Sequence, residues 1–533
     1  MPKKTIIIGG GIAGLTTGCY LQKNGFDTEI FESQATPGGL CTSWKRGEYT
    51  VDGCIHWLVG SSPEEPLYDL WKEVIPIDRI SFHYYEEFFR VRDESGKEIV
   101  AYTNLDRLRA ELLEKAPGDR KRIDEFVRGV RKLEKFPMQF DKAPELATNL
   151  DKLRDGITYF PYFPLLVRYS RMRIADFAAR CKNPLLQKFF NYSFAPEMPM
   201  LFIMMTFSWL DRRVTGYPIG GSLEFSRLFE ESYTSLGGKI HYNARVEEIL
   251  TENSGKHSRA SGIRLENGQE HAADITISAA DGYSTIFRML GGRFTDKRVH
   301  RYFNKFSVFP SFLQVSLGVG KDLRGLPSTV AFPLDRPFQV DPEKQIDNLY
   351  YRVINYDPTL APAGKTMVSC MVQTYNYKYW QDLRETDLPG YKEEKQRVTD
   401  YIIDQLDREL GGIKDRIEMV DVCTPATVIR YTSNWKGSFE GWMVTRETGF
   451  NSLPKQLPGL DDFFMAGHWV EPGGGIPAVF ASGRNLAQVI VRRYGFRGFN
   501  SSKVPKFQSS RVSELIWTFA HFVRVIHSLR SRH

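Results

Sequence analysis

The sequence predicts an α/β protein in which a Rossmann-type domain, discontinuous along the chain, is interleaved with an α+β domain. Three observations carry the prediction. A short apolar strand, a glycine turn, a helix and a second strand ending in an acid follow one another within residues 5–32. Further glycine clusters, each beside an apolar strand or helix pattern, recur at Gly38-Gly39, Gly220-Gly221 and Gly473-Gly474-Gly475. The stretches between them are long and rich in aromatic and apolar residues, as inserted domains would be.

The first unit reads in order. Thr5-Ile6-Ile7-Ile8 is a buried parallel strand, Gly9 to Gly14 a tight turn, Leu15 to Asn24 a helix, and Asp27 to Phe31 a strand closed by Glu32. This is the order of a dinucleotide-binding unit. Gly9 permits the sharp turn, Gly11 keeps a side chain away from a pyrophosphate, and Gly14 lets helix and strand approach closely. With Ile12 and Ala13 they present the helix N-terminus, whose unpaired N–H groups and positive dipole end favour a phosphate. Glu32 is placed to accept hydrogen bonds from ribose hydroxyls.

Composition narrows the class. The 533 residues are 42% hydrophobic and 25% charged, the balance of an ordinary globular protein rather than a disordered or fibrous one. A surplus of 71 basic over 64 acidic residues, +7 spread over this length, is too thin to argue for a nucleic-acid partner. Six cysteines stand alone, without a zinc spacing or a disulfide framework, so no metal is expected and reduced thiols are. The longest apolar run, Met198 to Leu210, is short of the roughly 20 residues that cross a bilayer. The N-terminus enters a strand without a leader pattern, and a cytoplasmic location is expected, with a peripheral membrane contact as a candidate.

After Glu32 the glycine pair Gly38-Gly39, followed by Leu40, resembles the second flavin signature of FAD enzymes of the amine-oxidase and phytoene-desaturase type. Leu40 stands where many relatives carry an arginine. The stretch from Tyr217 through Gly220-Gly221 to the strand Lys239 to Ile249 is similar to the returning βα unit of that superfamily, which implies Val246 beside the adenine. Asp462 to Gly467 reads as a strand, and Gly473-Gly474-Gly475-Ile476-Pro477-Ala478 opens a helix through Arg493. The resemblance implies that this N-terminus faces the flavin ring, with Gly467, Gly475, Ile476, Pro477 and Ala478 as contacts. His468 occupies a position where relatives often place an acid, either as a cofactor contact or as a structural histidine. The implied glutathione-reductase-like architecture has an FAD-binding domain from residues 1–75, 215–300 and 440–500. A substrate domain comes from 76–214 and 301–439, and a C-terminal amphipathic helix lies in 501–533. Gly318-Val319-Gly320 lacks the third glycine and helix of a separate nicotinamide domain.

The run Asp52-Gly53-Cys54-Ile55-His56 resembles retinol saturase and its bacterial relatives. In that fold the strand passes close to the flavin, which makes His56 the candidate catalytic residue, an imidazole able to give or take a proton. The alternative is a histidine that only orients backbone and substrate, and Asp52 reads as a structural cap. The apolar stretches Ile157 to Tyr169 and Met198 to Leu210 line a tunnel or a membrane-facing entrance, or else fill a core, with Arg168, Arg171 and Arg173 beside them. Leu515, Phe519, Phe522, Ile526 and Leu529 form one stripe of a helix that could lie on a membrane or dock on protein.

The function implied is an FAD-dependent oxidoreductase that desaturates, saturates or isomerises carbon–carbon bonds of a hydrophobic polyene such as a carotenoid or retinoid. Its electron partner is left open among quinone, oxygen and nicotinamide. An amine or porphyrinogen oxidase on the same fold is one alternative. A non-enzymatic prenyl-binding escort protein is another, against which the intact phosphate-binding glycines and Glu32 argue.

Overall fold

In the computed structural model, residues 2–502 are described apart from 256, 450, 452, 472, 496 and 497; the expected C-terminal helix therefore lies outside the described residues. Five parallel strands form one sheet in the order Lys239–His241, Asp27–Phe31, Lys4–Ile8, Ile275–Ser278, Phe463–Met465. The strand side chains alternate, as strand geometry requires. Ile7, Ile30, Ile275 and Ile277 join one core with Leu15, Phe229, Tyr233, Phe480 and Leu486 from the helices Ile12–Lys23, Gly221–Ser235 and Gly475–Arg493. Ile6, Ile8, Phe31, Phe463 and Met465 join a second core with Ile249 and Ile263. Those two residues belong to the antiparallel strands Val246–Ser254 and His257–Leu265. Both faces of the parallel sheet are thus covered, which is why its strands read as continuous apolar runs.

Two boundaries differ from the sequence reading. The first helix begins at Ile12, not Leu15, because Gly14 is helical rather than part of the turn; a Cβ there would lie 2.0 Å from the Gly9 carbonyl oxygen, so only glycine lets the helix sit this close to the strand end. The expected strand Lys239 to Ile249 is two strands. Asn243 takes a left-handed φ of 54°, a conformation Asn tolerates, and Ala244 N–H then donates to the Glu32 carbonyl. The chain crosses the end of the parallel sheet there and enters the antiparallel one.

A second sheet has seven strands in the order Ile417–Cys423, Ser311–Val319, Thr366–Thr374, Lys344–Ile354, Thr329–Asp341, Glu87–Arg92, Glu98–Tyr102. It is antiparallel except where Thr329–Asp341 runs beside Glu87–Arg92. The helix Leu388–Glu409 packs on it through Val398, Ile402 and Leu406. Toward the other edge, the helices Leu105–Lys115, Arg120–Leu133, Pro184–Ser193 and Met200–Asp211 share one core. The last of these is apolar nearly all round, buried along most of its surface and only partly so at Phe202, Met205 and Trp209.

Candidate active site

One cavity of about 1020 Å³ runs between the two sheets. Its wall at the parallel sheet contains Gly9, Gly11, Ile12 and Ala13, Glu32, the Gly38-Gly39-Leu40 turn, Val246, Gly467, His468 and the segment Gly475 to Ala478. His56 faces the same space. Of the cofactor contacts expected from sequence, Gly14 alone stays out of the wall, for the packing reason given above.

Two helix N-termini open on this cavity without a side-chain cap, that of Ile12–Lys23 after Gly11 and that of Gly475–Arg493 after Gly474. Their first-turn N–H groups are therefore available to an anion. The nearest atom to a Cβ built on Gly11 would be the Gly38 carbonyl oxygen at 3.8 Å, on Gly39 the Gly11 Cα at 3.5 Å, and on Gly467 the Ala13 Cβ at 3.6 Å. Nothing crowds these positions, so their bareness leaves room for a ligand to lie against backbone. The uncapped helix ends and bare glycines of this wall fit a dinucleotide.

Glu32 is 6% exposed and already engaged. One carboxylate oxygen accepts from Gly10 N–H at 2.7 Å and the other from Gln34 N–H at 2.8 Å, which fixes the carboxylate at the cavity rim with acceptor capacity left for hydroxyls. Leu40 gives no charge, but Arg245 lies on the cavity wall.

At the opposite end the wall is apolar and aromatic. Met198, Phe202, Met205 and Trp209 line the cavity, whereas Met200 and Met204 are fully buried in the helical core, where the Met204 thioether fills the space beside Gly129. The methionine-rich run is thus both core and tunnel, split by helix face. Trp57 meets Phe88 and Phe194 edge to face at 5.0 and 6.1 Å, and Phe309 and Phe312 complete the wall from the sheet side.

The titratable groups here are few and shifted. Burial, with the Arg352 guanidinium nearby, holds the His56 imidazole well below its ordinary range, so it is neutral at pH 7. The ring faces the cavity, where sequence places the candidate acid or base. Burial likewise lowers His468 to about 4. Glu440 shows the reverse: burial raises its carboxyl to about 7, against the Gly475 N–H that favours the anion. Glu440 lies beside Gly474 on the cavity wall. Sequence reasoning missed it, because it sits in an irregular stretch that no motif marks. Behind His56 a buried chain of hydrogen bonds runs from Arg352 to the Tyr356 hydroxyl at 2.8 Å, to Tyr85 at 2.9 Å, and from the Tyr85 hydroxyl to the His56 carbonyl at 3.1 Å. Asp52 is structural: it accepts from Tyr217 at 3.0 Å and from the Ser222 hydroxyl, tying the hairpin to the helix Gly221–Ser235.

A bare phosphate cradle, a second helix end aimed into the same cavity and an apolar chamber beyond it define an FAD-dependent oxidoreductase. Residues 12–491 match the model of the flavin containing amine oxidoreductases, and the chain belongs to that family. Among its relatives, the chloroplastic prolycopene isomerase of Daucus carota is 26% identical over 520 residues, covering 92% of this chain and 80% of that protein. The neurosporene-forming phytoene desaturase of Rhodobacter capsulatus is 25% identical, covering 91% and 94%. In fold, an oxidoreductase from Methanosarcina mazei superposes with a TM-score of 0.56 at 18% identity, covering 91% of this chain and 99% of that one.

Proposed function

We propose that the protein desaturates, saturates or isomerises carbon–carbon double-bond systems in a long apolar polyene of the carotenoid or retinoid class. The observation that carries this is the continuity of one cavity from the glycine-lined cofactor wall to a chamber of Met198, Phe202, Met205, Trp57 and Phe88. FAD, when bound, supplies two-electron redox chemistry at the end of the cavity faced by the helix Gly475–Arg493. The chain's own groups bind the polyene by apolar contact, keep water out and handle one proton. Glu440, near half protonated at neutral pH, is suited to hold or deliver that proton at carbon. His56, neutral and fixed through its carbonyl by Tyr85, orients the polyene against the cofactor. The test is anaerobic reduction of the flavoprotein followed by carotenoids, retinoids and quinones in turn, with products separated by chromatography. A new polyene product with matching reoxidation, or a shifted double-bond geometry without net electron flow, is expected. Oxygen consumption with amines and no reaction or binding with any polyene would overturn the substrate class.

The same reading includes delivery of the substrate from a lipid surface. The helix Asn149–Tyr159 carries Leu150, Leu153 and Ile157 on one face at spacings of three and four, and the stripe continues through Phe160 and Phe163. All five are 60–77% exposed. Tyr159 stacks on Phe136 at 5.3 Å, and the Tyr162 hydroxyl donates to the Lys135 carbonyl at 2.5 Å. The segment they hold then contributes Met138 and Phe140 to the cavity wall. Of Arg168, Arg171 and Arg173, placed where headgroups could be met, Arg168 pairs with Glu125 and Arg173 with Asp176, both arginines staying half-exposed. Flotation with phospholipid vesicles is expected, and loss of binding on Leu153→Glu with Ile157→Glu. Vesicle-independent dimers, or flotation that depends only on residues 503–533, would assign the stripe to another partner.

A further inference from the structure

Among the described residues, two buried side-chain polar atoms without a hydrogen-bond partner belong to residues of the cavity wall: Trp469 Nε1 and Asn191 Oδ1. Trp469 follows His468 and belongs to the cofactor wall. Asn191 belongs to the apolar chamber. It sits in the last turn of the helix Pro184–Ser193, whose buried Phe189 and Phe190 pack on Phe89 and Phe126 at 5.5 and 5.4 Å. An amide oxygen shut off from water bears the full cost of its desolvation unless a donor reaches it.

The strands show which end of the chamber this is. Lys344–Ile354 and Thr366–Thr374 pair from Ile354 opposite Met367 to Tyr351 opposite Cys370. Past that point each is paired to its outer neighbour, and Asn348 and Gln373 line the cavity where the two strands part. Asn348 lies four residues from Arg352, about 13 Å along an extended strand, and Arg352 is the residue tied to His56 through Tyr356 and Tyr85. The helix end carrying Asn191 meets this part of the strand: burial, together with the Asp347 carboxylate, pushes the neighbouring Tyr192 hydroxyl up to about 12. The chamber therefore ends on polar side chains, with the unsatisfied oxygen of Asn191 among them.

We infer that Asn191 marks a subsite for a hydroxyl group at the far end of the substrate, so that the polyene this protein prefers is an alcohol rather than a pure hydrocarbon. The inference rests on the polyene reading above and narrows it. A hydroxyl donates to the Asn191 Oδ1 and completes the one unsatisfied acceptor of the chamber. A hydrocarbon end leaves that oxygen unpaired, and an ether, carbonyl or carboxylate oxygen has no proton to offer it. A site built to hydrogen-bond a substrate hydroxyl discriminates against the analogue that lacks it, because the buried polar group is then stranded. Asn191 thus sets specificity and register: with the hydroxyl held there, a fixed stretch of the apolar chain lies against Trp57 and Phe194 on its way to the cofactor wall.

The full-length flavoprotein in mild detergent is titrated with matched polyenes, and binding is read from the polyene absorbance. One pair is retinol and the hydrocarbon with a methyl group in place of its CH2OH; the other is β-cryptoxanthin and β-carotene, which differ by one hydroxyl. In each pair that binds, the alcohol should bind about tenfold more tightly, the effect of roughly one net hydrogen bond. Retinyl methyl ether, which keeps the oxygen and loses the proton, should follow the hydrocarbon. Asn191→Leu should bring the members of a pair within about twofold, and Asn191→Asp, which keeps an acceptor oxygen, should retain the preference. Flavin content and melting temperature report whether each variant is folded, and where one is not, the wild-type pairs decide alone. Equal affinity within the pairs, as when water already satisfies the amide, or a preference that survives Asn191→Leu overturns this inference and leaves the polyene reading standing. Binding of none of these polyenes removes that reading, and this inference with it.

Discussion

Replacing Glu440 by Gln separates a carboxyl that works in the cavity from one that is merely buried. Its ordinary value of 4.5 is raised to about 7 by burial. Each tenfold in proton affinity is about 1.4 kcal/mol, so the ionised form is disfavoured in the folded protein by about 3 kcal/mol. The sign follows from linkage: a group whose folded value is raised contributes favourably while protonated and loses that contribution as pH rises. In the unfolded chain Glu440 ionises near 4.5, in the folded one near 7, so stability falls between those values and levels off above the higher one. From pH 5.5 to 8.5 the wild type should lose about 2 kcal/mol through this one residue. Glu440→Gln, isosteric and uncharged, should flatten that part of the profile. Urea unfolding of both proteins across the pH range, followed by tryptophan fluorescence, measures the difference directly. Turnover should show a limb near pH 7 in the wild type that vanishes in the variant, together with a loss of at least tenfold in rate at the optimum. Parallel stability profiles would refute the buried-carboxyl argument. A retained kinetic limb would assign proton handling to another group.

Gly14→Ala should lose flavin on gel filtration and unfold at lower temperature, because its Cβ would overlap the Gly9 carbonyl oxygen at 2.0 Å and push the phosphate turn away from the helix; normal flavin content would show that the turn can shift. Met204→Ala should cost about 2–5 kcal/mol in urea unfolding as a core deletion, whereas Met205→Ala should leave most stability and alter polyene affinity; equal losses would remove the division of the helix into core and cavity faces. His56→Ala should reduce turnover more than tenfold with flavin retained, and since the imidazole is neutral throughout, the wild-type profile should lack a limb near 6.5. Leu153→Glu with Ile157→Glu should lower the vesicle-bound fraction at least tenfold, given about 1.5–3 kcal/mol for each such side chain withdrawn from water.

What could be read from sequence, and what could not, divides along the range of the interactions. The glycine turn, Glu32, the pair at 38 and 39 and the helix opening at Gly475 are local: strand, turn and helix follow within a few residues, and backbone geometry dictates glycine where a Cβ would collide or fill the ligand's space. All but Gly10 and Gly14 meet on one wall. Gly14 was legible as a glycine that must be there, but not as one sealed inside the helix–strand contact. The split of the methionine run needed the helix partners, since an all-apolar helix has no periodicity that tells core from chamber. Arg168 reads as a headgroup ligand because its acidic partner, Glu125, is distant in sequence, whereas Arg173 pairs with Asp176 one helical turn on. Glu440 was invisible for a related reason. A carboxyl's proton affinity depends on what excludes water from it, and here that is decided by segments distant in sequence that close the cavity around it, not by its own neighbours along the chain.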